Sequence, residues 1–510
     1  LLNSLNIKFK SITVQVSLFY LIIFSFLSSS LQSQVAYNNA ACYGLRKIVP
    51  TYTGSAIQVR RTCDNATANI GFTSCGDLDT TALKNFVLVP NPLSAIAIAS
   101  EGAYSLRKLT CAYNGNAINV RRTCDDATKD IGFTSMGNLD TVALKTFVMA
   151  SNPLSALSVN SAVAYSLRKL RCAYAGSAIQ VRRSSDNATS NIGFTALGDL
   201  DTIALKTFVG LGNSGFVTIW YDQSGNGINV APPATTNQPR IMNAGVVERK
   251  NGVPTLFFDG ANDYFFTNSF STTGYTGFSA SVLAAWTTVG TSIANIQALI
   301  DNNHSCGGAS PGFVIQDRPD LVNRPITAGL TNPSMCSSCP GASCQDVLTT
   351  GNGSLRLITW INTTSNEFLY RDGINVSSGS YCGAYTIQSQ FLIGAWNAGP
   401  SRFLSGQMSE VILFKSALSN TDRQYLEWGQ SQYHNVSGPT LSSTLPAGAP
   451  SAFVTTWYDQ SGNARHATQP TNALQPRIIN AGLIEKNSSN RPSIFFNGGT
   501  TLRNSFVLNT

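Results

Sequence analysis

The chain has 510 residues, more than one hydrophobic core usually serves, so two or more domains are expected. Only 12% of residues are charged and 10% aromatic, beside abundant Gly, Ser, Thr and Asn; this is a β-rich extracellular composition, and 43% hydrophobic residues exclude general disorder. The formal charge of +8 is spread along the whole length with no block of Lys and Arg, so a nucleic-acid partner is not expected.

Lys8 and Lys10 precede an apolar run, Leu18 to Leu27, that is too short to span a bilayer. Residues 1–34 therefore read as a signal peptide cleaved among Ser28 to Gln34, with a retained anchor as the other reading of the same run. No later stretch approaches the ~18 continuous apolar residues of a transmembrane helix, so no membrane span is expected in the mature chain. The predicted location is secreted or cell-surface.

A repeat organises the next segment. Arg60-Arg61, Arg121-Arg122 and Arg182-Arg183 recur every 61 residues (121 − 60, 182 − 121). In each unit a stretch such as Ala103-Tyr104-Ser105-Leu106-Arg107-Lys108-Leu109 spaces its apolar residues for a short helix, whereas Ala117-Ile118-Asn119-Val120-Arg121 alternates like a strand. Asp140 sits where an N-cap would, ahead of Val142 to Phe147. Each unit thus reads helix, strand, turn, helix. Asp64, Asp125 and Asp186 follow the paired arginines closely, which favours local ion pairing over a grip on an acidic ligand.

The third copy alone runs on into Gly215-Phe216-Val217-Thr218-Ile219-Trp220-Tyr221-Asp222-Gln223-Ser224-Gly225-Asn226-Gly227, a strand ending in a turn. The first two copies stop at Asn91 to Ala95 and Asn152 to Ala156, so residues 36–161 are predicted to be two partial repeats that lack strand partners and lean on a neighbour. Short β segments follow at Thr255 to Phe258, Ser279 to Trp286, Gly312 to Gln316, Leu355 to Ile361, Glu367 to Tyr370 and Phe391 to Gly394, with an Asp372-Gly373 hairpin turn. A helix is predicted next, opened by a Ser419/Asp422 capping box and presenting Tyr425, Leu426 and Tyr433 on one face. Phe453 to Asn463 then repeats the strand and turn, so residues 437–510 read as a linker and the start of a second, truncated module. The main module is placed at 162–436.

The 11 cysteines are unevenly placed, with Cys336, Cys339 and Cys344 crowding one loop between Cys306 and Cys382. Disulfides are expected among these five, in preference to zinc, because none of the three histidines is close in sequence. Asp222 to Gly227 imitates a calcium loop with oxygen ligands at alternate positions, although a plain turn accounts for the same residues. No other cofactor and no metal site are expected.

The unit from Ala164 through Gly227, with its Val-Arg-Arg-Ser-Ser-Asp and Tyr-Asp-Gln-Ser-Gly-Asn-Gly phrases, resembles the start of the α-L-arabinofuranosidase B catalytic domain, glycoside hydrolase family 54. Phe257 to Tyr264 and the Gly406 to Leu413 strand leading to Asp422-Arg423-Gln424 are similar to a laminin-G-like jelly roll. The resemblance implies a mainly β fold: a concanavalin A-like β-sandwich with short helices, preceded by small α/β partial repeats.

A retaining enzyme of this family needs two carboxyl groups about 5 Å apart, one nucleophile and one acid/base. Similarity places the nucleophile at Asp317, where the family has Glu, and the acid/base at Asn397, an amide that cannot donate the proton. Glu410 lies on a strand that resembles the family's, and a hydrogen-bonded structural role is expected for it. Trp220, Tyr221, Asp222 and Trp396 are the candidate sugar-contacting residues. The leading expectation is a carbohydrate-binding or adhesion protein, catalytically weak or inactive, whose partner is a polysaccharide or surface glycan. An active arabinofuranosidase is the alternative, and a structural surface spacer a third reading.

Overall fold

The computed structural model describes residues 43–504 apart from 62–64, 66, 89–99, 111, 271–274, 276, 288–294, 303–312, 318–325, 331–343, 347–351, 364, 381–388 and 397–399; at 88, 326–330, 344–346 and 380 only the backbone is described. The predicted signal peptide lies outside the described residues, as do Cys306, Cys336, Cys339 and Cys382 and the side chain of Cys344. Among the described residues one disulfide joins Cys124 to Cys172, linking the second repeat to the third.

The three repeats fold alike. In the first, β1 (Ile57–Arg60) and β2 (Thr67–Ile70) form an antiparallel hairpin followed by α1 (Thr80–Leu88). The second follows with β3 (Ile118–Arg122), β4 (Thr128–Ile131) and α2 (Thr141–Lys145), which continues as a π-helical turn to Ala150. The third has a leading strand β5 (Ser161–Ser166), then β6 (Ile179–Arg183), β7 (Thr189–Ile192) and α3 (Thr202–Val209).

Local chemistry explains the repeat. Asn65, Asp126 and Asn187 turn the hairpins at φ 57, 58 and 60°, a left-handed conformation that Asn and Asp tolerate. Asp140 and Asp201 accept the amide hydrogens of Ala143 and Ala204 at 2.8 and 2.9 Å, satisfying donors that a helix start leaves unpaired. The second arginine of each pair closes the unit: Arg122 and Arg183 donate to the carbonyls of Phe147 and Phe208, both at 2.8 Å, and pair with Asp125 and Asp186. The second arginines thus tie each hairpin to the helix of its own repeat, and Arg122 also reaches the Leu197 carbonyl of the next repeat at 3.2 Å.

The predicted leading helix does not form. Residues 103–109 are extended or bent, and the matching stretch of the third repeat contains strand β5. Ala103 N and Leu109 N donate to side chains of the Tyr-Asp-Gln-Ser phrase, described below, Arg107 N to the Ser105 hydroxyl and Lys108 N to Gly137 O, so these amides are not in a helical ladder.

After α3 the chain enters β8 (Gly215–Trp220), β9 (Arg240–Asn243), β10 (Val246–Val247), β11 (Arg249–Lys250), β12 (Val253–Pro254), β13 (Leu256–Asp259) and β14 (Phe265–Thr267). It continues through β15 (Phe278–Thr287), β16 (Gln297–Asp301), β17 (Phe313–Asp317), β18 (Ile326–Leu330), β19 (Cys344–Asp346) and β20 (Asn352–Asn362). Then come β21 (Asn366–Arg371), β22 (Ile374–Ser380), β23 (Phe391–Ile393), β24 (Ser405–Phe414) and helix α4 (Asn420–His434).

These strands make an antiparallel sandwich. A 12-stranded sheet in the order β22-β21-β20-β15-β24-β13-β9-β8-β6-β7, with β5 added on β24 and β10 on β9, packs against a 6-stranded sheet, β14-β23-β16-β17-β18-β19. Between them lies one core to which Val282, Trp286, Trp360 and Val411 contribute from the large sheet and Phe265, Ile300, Phe313 and Ile393 from the smaller one. Phe278 and Phe313 meet across it at 4.5 Å between ring centroids. Asp372 and Gly373 turn the β21–β22 hairpin at φ 51 and 84°, the conformation an Asp-Gly type I′ turn requires. On the other side of the large sheet, α4 starts at Ser419, whose hydroxyl accepts from Asp422 N at 3.0 Å; Leu426 packs on Ile412 and Phe414, and Tyr425 and Trp428 join Phe147 and Met149 of the second repeat.

The C-terminal segment is not the start of a separate module. It forms β25 (Ala452–Trp457), β26 (Ala467–Thr468), β27 (Arg477–Asn480) and β28 (Leu483–Ile484), and β25 pairs with β3 of the second repeat. The resulting order β28-β27-β25-β3-β4 reproduces β10-β9-β8-β6-β7 of the third repeat. A Cβ on Gly448 would lie 2.8 Å from the carbonyl oxygen of Ala156, so the backbone leaving the second repeat and the backbone returning to it are in contact. Residues 157–447 are thus inserted at one point of the module that 100–156 and 448–504 build together.

Candidate functional site

In both complete repeats the Tyr-Asp-Gln-Ser phrase is a clamp. Asp222 Oδ1 accepts the amide hydrogens of Ala164 and Ser224 at 2.9 and 2.8 Å, and its Oδ2 accepts from the Ser224 hydroxyl and Ile228 N at 2.7 and 3.1 Å. Gln223 donates to the carbonyls of Ser166 and Arg168, both at 3.0 Å, and accepts from Leu170 N at 2.8 Å. Asp459 and Gln460 repeat the arrangement on Ala103, Ser105, Arg107 and Leu109. Both carboxylate oxygens of Asp222 are engaged by protein donors, so the loop that imitates a calcium site is a hydrogen-bonded turn. Among the described residues no group of three or more His, Cys, Asp and Glu could hold a metal ion.

The tryptophan before each clamp meets two different environments. Trp220 is fully buried, 5.8 Å from the rings of both Tyr165 and Phe265, and offers no face to a sugar. Neither does Asp222, while Tyr221 stays at the surface and donates to Asn191 at 2.9 Å. Trp457, in the same position of the second module, instead lines an open cleft of about 640 Å³, its ring 5.9 Å from that of Tyr104. Arg107, Asn138, Asn487, Arg491 and Ile494 complete the walls. In the third module Phe265 of the smaller sheet packs on Trp220, whose ring is fully buried. Tyr104 is fixed by Asn504, which donates to its hydroxyl at 2.7 Å, and by its own bond to the Arg465 carbonyl.

The sequence reading missed this cleft because its two aromatic residues are 353 positions apart (457 − 104) and look unrelated until the strand pairing is known. The available signal was the recurrence of Trp457 in the same phrase as Trp220.

Of the family-derived catalytic candidates, Asp317 lies on the smaller sheet. Strand alternation places Asp317 on the same face as Phe313 and Ile315, toward the core, where it is fully buried and paired in register with Gln297. Asp301, also fully buried, lies opposite Leu392, whose row packs with Phe266 and Tyr264 in a second apolar cluster. Asp301 and Asp317 therefore stand on opposite faces of this sheet. Asn397 lies outside the described residues; Trp396 is half-buried, with the Arg402 guanidinium 3.9 Å over its ring.

Glu410 is a structural anchor. It is fully buried on β24, receives Arg168 Nε and Nη2 at 2.8 and 3.0 Å, and also accepts from Ser166 and Gln430 at 2.9 and 3.0 Å. Burial alone would raise its carboxyl, but the charge and hydrogen bonds of Arg168 outweigh that and hold it well below the usual carboxylate range. His434 Nε2 stands 3.5 Å away, and burial lowers the imidazole pKa toward the neutral form, so Arg168 is the counter-ion.

Residues 155–306 match the family described as "Alpha-L-arabinofuranosidase B, catalytic". The chain is 33% identical over 144 residues to a probable α-L-arabinofuranosidase B of Aspergillus terreus and 31% identical to that of Aspergillus clavatus, matching 28% of this chain and 27% of each relative. It spans about a quarter of the length of these curated relatives. A solved arabinofuranosidase complexed with arabinofuranosyl-α-1,2-xylobiose superposes with a TM-score of 0.43 at 14% identity, covering 69% of this chain and 85% of that one. The family match ends before Asp317 and Asn397. The chain thus carries an α-L-arabinofuranosidase B-like β-sandwich module, matched from the end of the second repeat to residue 306, just past β16.

Proposed function

We propose that this protein is a secreted or cell-surface carbohydrate-binding protein in which an arabinofuranosidase B-like sandwich serves as a scaffold and the cleft beside Tyr104 and Trp457 receives the glycan. The observation that carries this reading is the composition of that cleft: two aromatic rings, two guanidinium groups and two carboxamides around about 640 Å³. Aromatic faces stack on the C–H face of a sugar ring, and amide and guanidinium donors read its hydroxyls. No described helix is long and apolar enough to cross a membrane. The test is a glycan array probed with the full chain and with the exposed-residue variants Asn487→Ala and Arg491→Ala. Binding weakened by both variants supports the cleft, and binding unaffected by either removes it.

Hydrolysis of arabinofuranosides is the second reading, favoured by the match over residues 155–306. The burial of Asp317 on the core face weighs against it. Release of arabinose from an activated arabinofuranoside at ~1 s⁻¹ or faster, abolished by Asp317→Asn, would establish the enzyme instead.

A further inference from the structure

The first repeat has the same interior as the other two. Tyr52 donates to the Ser55 carbonyl at 3.0 Å, as Tyr113 does to Asn116 at 2.7 Å and Tyr174 to Ser177 at 2.9 Å. Lys47 N donates to Gly76 O at 2.6 Å, matching Lys108 to Gly137 and Lys169 to Gly198 at 2.7 Å. Arg61 Nη1 reaches the Phe86 carbonyl at 2.5 Å, and Arg61 Nη2 touches Ser135 O of the next repeat just as Arg122 Nη2 touches Leu197 O.

One component differs. β3 and β6 are each flanked by a strand leading into a Trp-Tyr-Asp-Gln-Ser-Gly-Asn phrase, β25 and β8, whereas β1 pairs only with β2 among the described residues. The consequence is visible at the leading segment that the clamp would hold. Tyr43 is 93% and Leu45 59% exposed, while their counterparts Tyr165 and Leu167 are 0% and 3% exposed.

We propose that the first repeat is an open socket for a strand of the Trp-Tyr-Asp-Gln-Ser-Gly type, which would add antiparallel to β1 and clamp Gly44 to Ile48 through its Gln side chain. Both segments of this kind in the sequence, at 215–226 and 452–463, are already seated, so the occupant is a third such segment carried by a partner polypeptide. A second copy of the chain could supply its own β25 only by emptying its own second module. Strand addition supplies main-chain hydrogen bonds along the edge, and the clamp supplies specificity that an arbitrary β-strand lacks.

The test uses the full chain and a synthetic peptide of its own residues 450–469. Binding is expected, with hydrogen-exchange protection appearing at 57–60 and 44–48 and nowhere else, and with roughly tenfold weaker binding for the Gln460→Ala peptide, which loses its three clamp bonds. Leu45→Glu, at an exposed position that the fold does not need, should also weaken it. No binding at about 1 mM peptide, protection at other strands, equal binding of the Gln460→Ala peptide, or concentration-dependent dimerisation that protects β1 without peptide would each overturn the proposal.

Discussion

Asp459 Oδ1 accepts the amide hydrogen of Ala103 at 2.8 Å, bridging positions 356 apart in sequence and fastening the C-terminal strand to the leading segment of the second repeat. The neighbouring Gln460 makes three more bonds to that segment. Removing either side chain leaves buried backbone groups without partners, at a cost of about 1–3 kcal/mol each. Asp459→Ala and Gln460→Ala are expected to speed amide exchange in β3 and β25 while leaving β15 and β20 of the sandwich protected. Uniform loss of protection in both modules would contradict the division into inserted and host units.

The contact between Ala156 and Gly448 makes the insertion separable. A chain in which residues 157–447 are replaced by a short Gly/Ser linker should unfold cooperatively on heating, whereas residues 100–156 alone should not, since β3 then lacks β25. The shortened chain is expected to melt lower than the second module does in the full protein, because Tyr425 and Trp428 of α4 no longer cover Phe147 and Met149. A linear, non-cooperative melt of the shortened chain would refute the insertion account.

Arg168 and Glu410 form an ion pair with almost no exposure on either side chain. Breaking such a pair from one side costs about 3–5 kcal/mol, because a charge is left buried alone. Arg168→Met is therefore expected to lower the denaturant midpoint sharply. Arg168→Met combined with Glu410→Leu should recover most of the loss. If the double variant is as unstable as the single one, the cost lies in the other bonds of Arg168 and not in the orphaned carboxylate.

Burial pushes the Glu367 carboxyl from 4.5 up to about 8, against the pull of a hydrogen bond from Asn362 Nδ2 at 3.0 Å. The folded state thus holds this proton more tightly than the unfolded chain does. Its contribution to stability is complete below pH 4.5 and is lost as the pH rises through about 8. Glu367→Gln should accordingly flatten the fall in melting temperature over that window. An unchanged pH profile would show that the carboxyl titrates near its ordinary value in the fold.

The sequence by itself determined the repeat, one strand and the capped second helix of each unit, several strands of the sandwich and the capped α4, because each depends on spacing within about ten residues: alternation, an Asp before a helix, an Asp-Gly turn. It also carried the family resemblance, which rests on contiguous phrases. Local spacing misread residues 103–109 as helix, because the Asp459 and Gln460 side chains that hold them extended come from more than 350 positions away. Only the tertiary structure decided that β25 belongs to β3, since two identical Trp-Tyr-Asp-Gln phrases give the same local signal and strand partnership is a long-range choice. It likewise decided that Trp220 is core and Trp457 lines a cleft, because exposure depends on what packs against a ring: Phe265 of the second sheet closes over the first, and the second borders open space. The face of Asp317 followed from register with Gln297 across β16, which places the carboxyl among core side chains regardless of what its neighbours in sequence resemble.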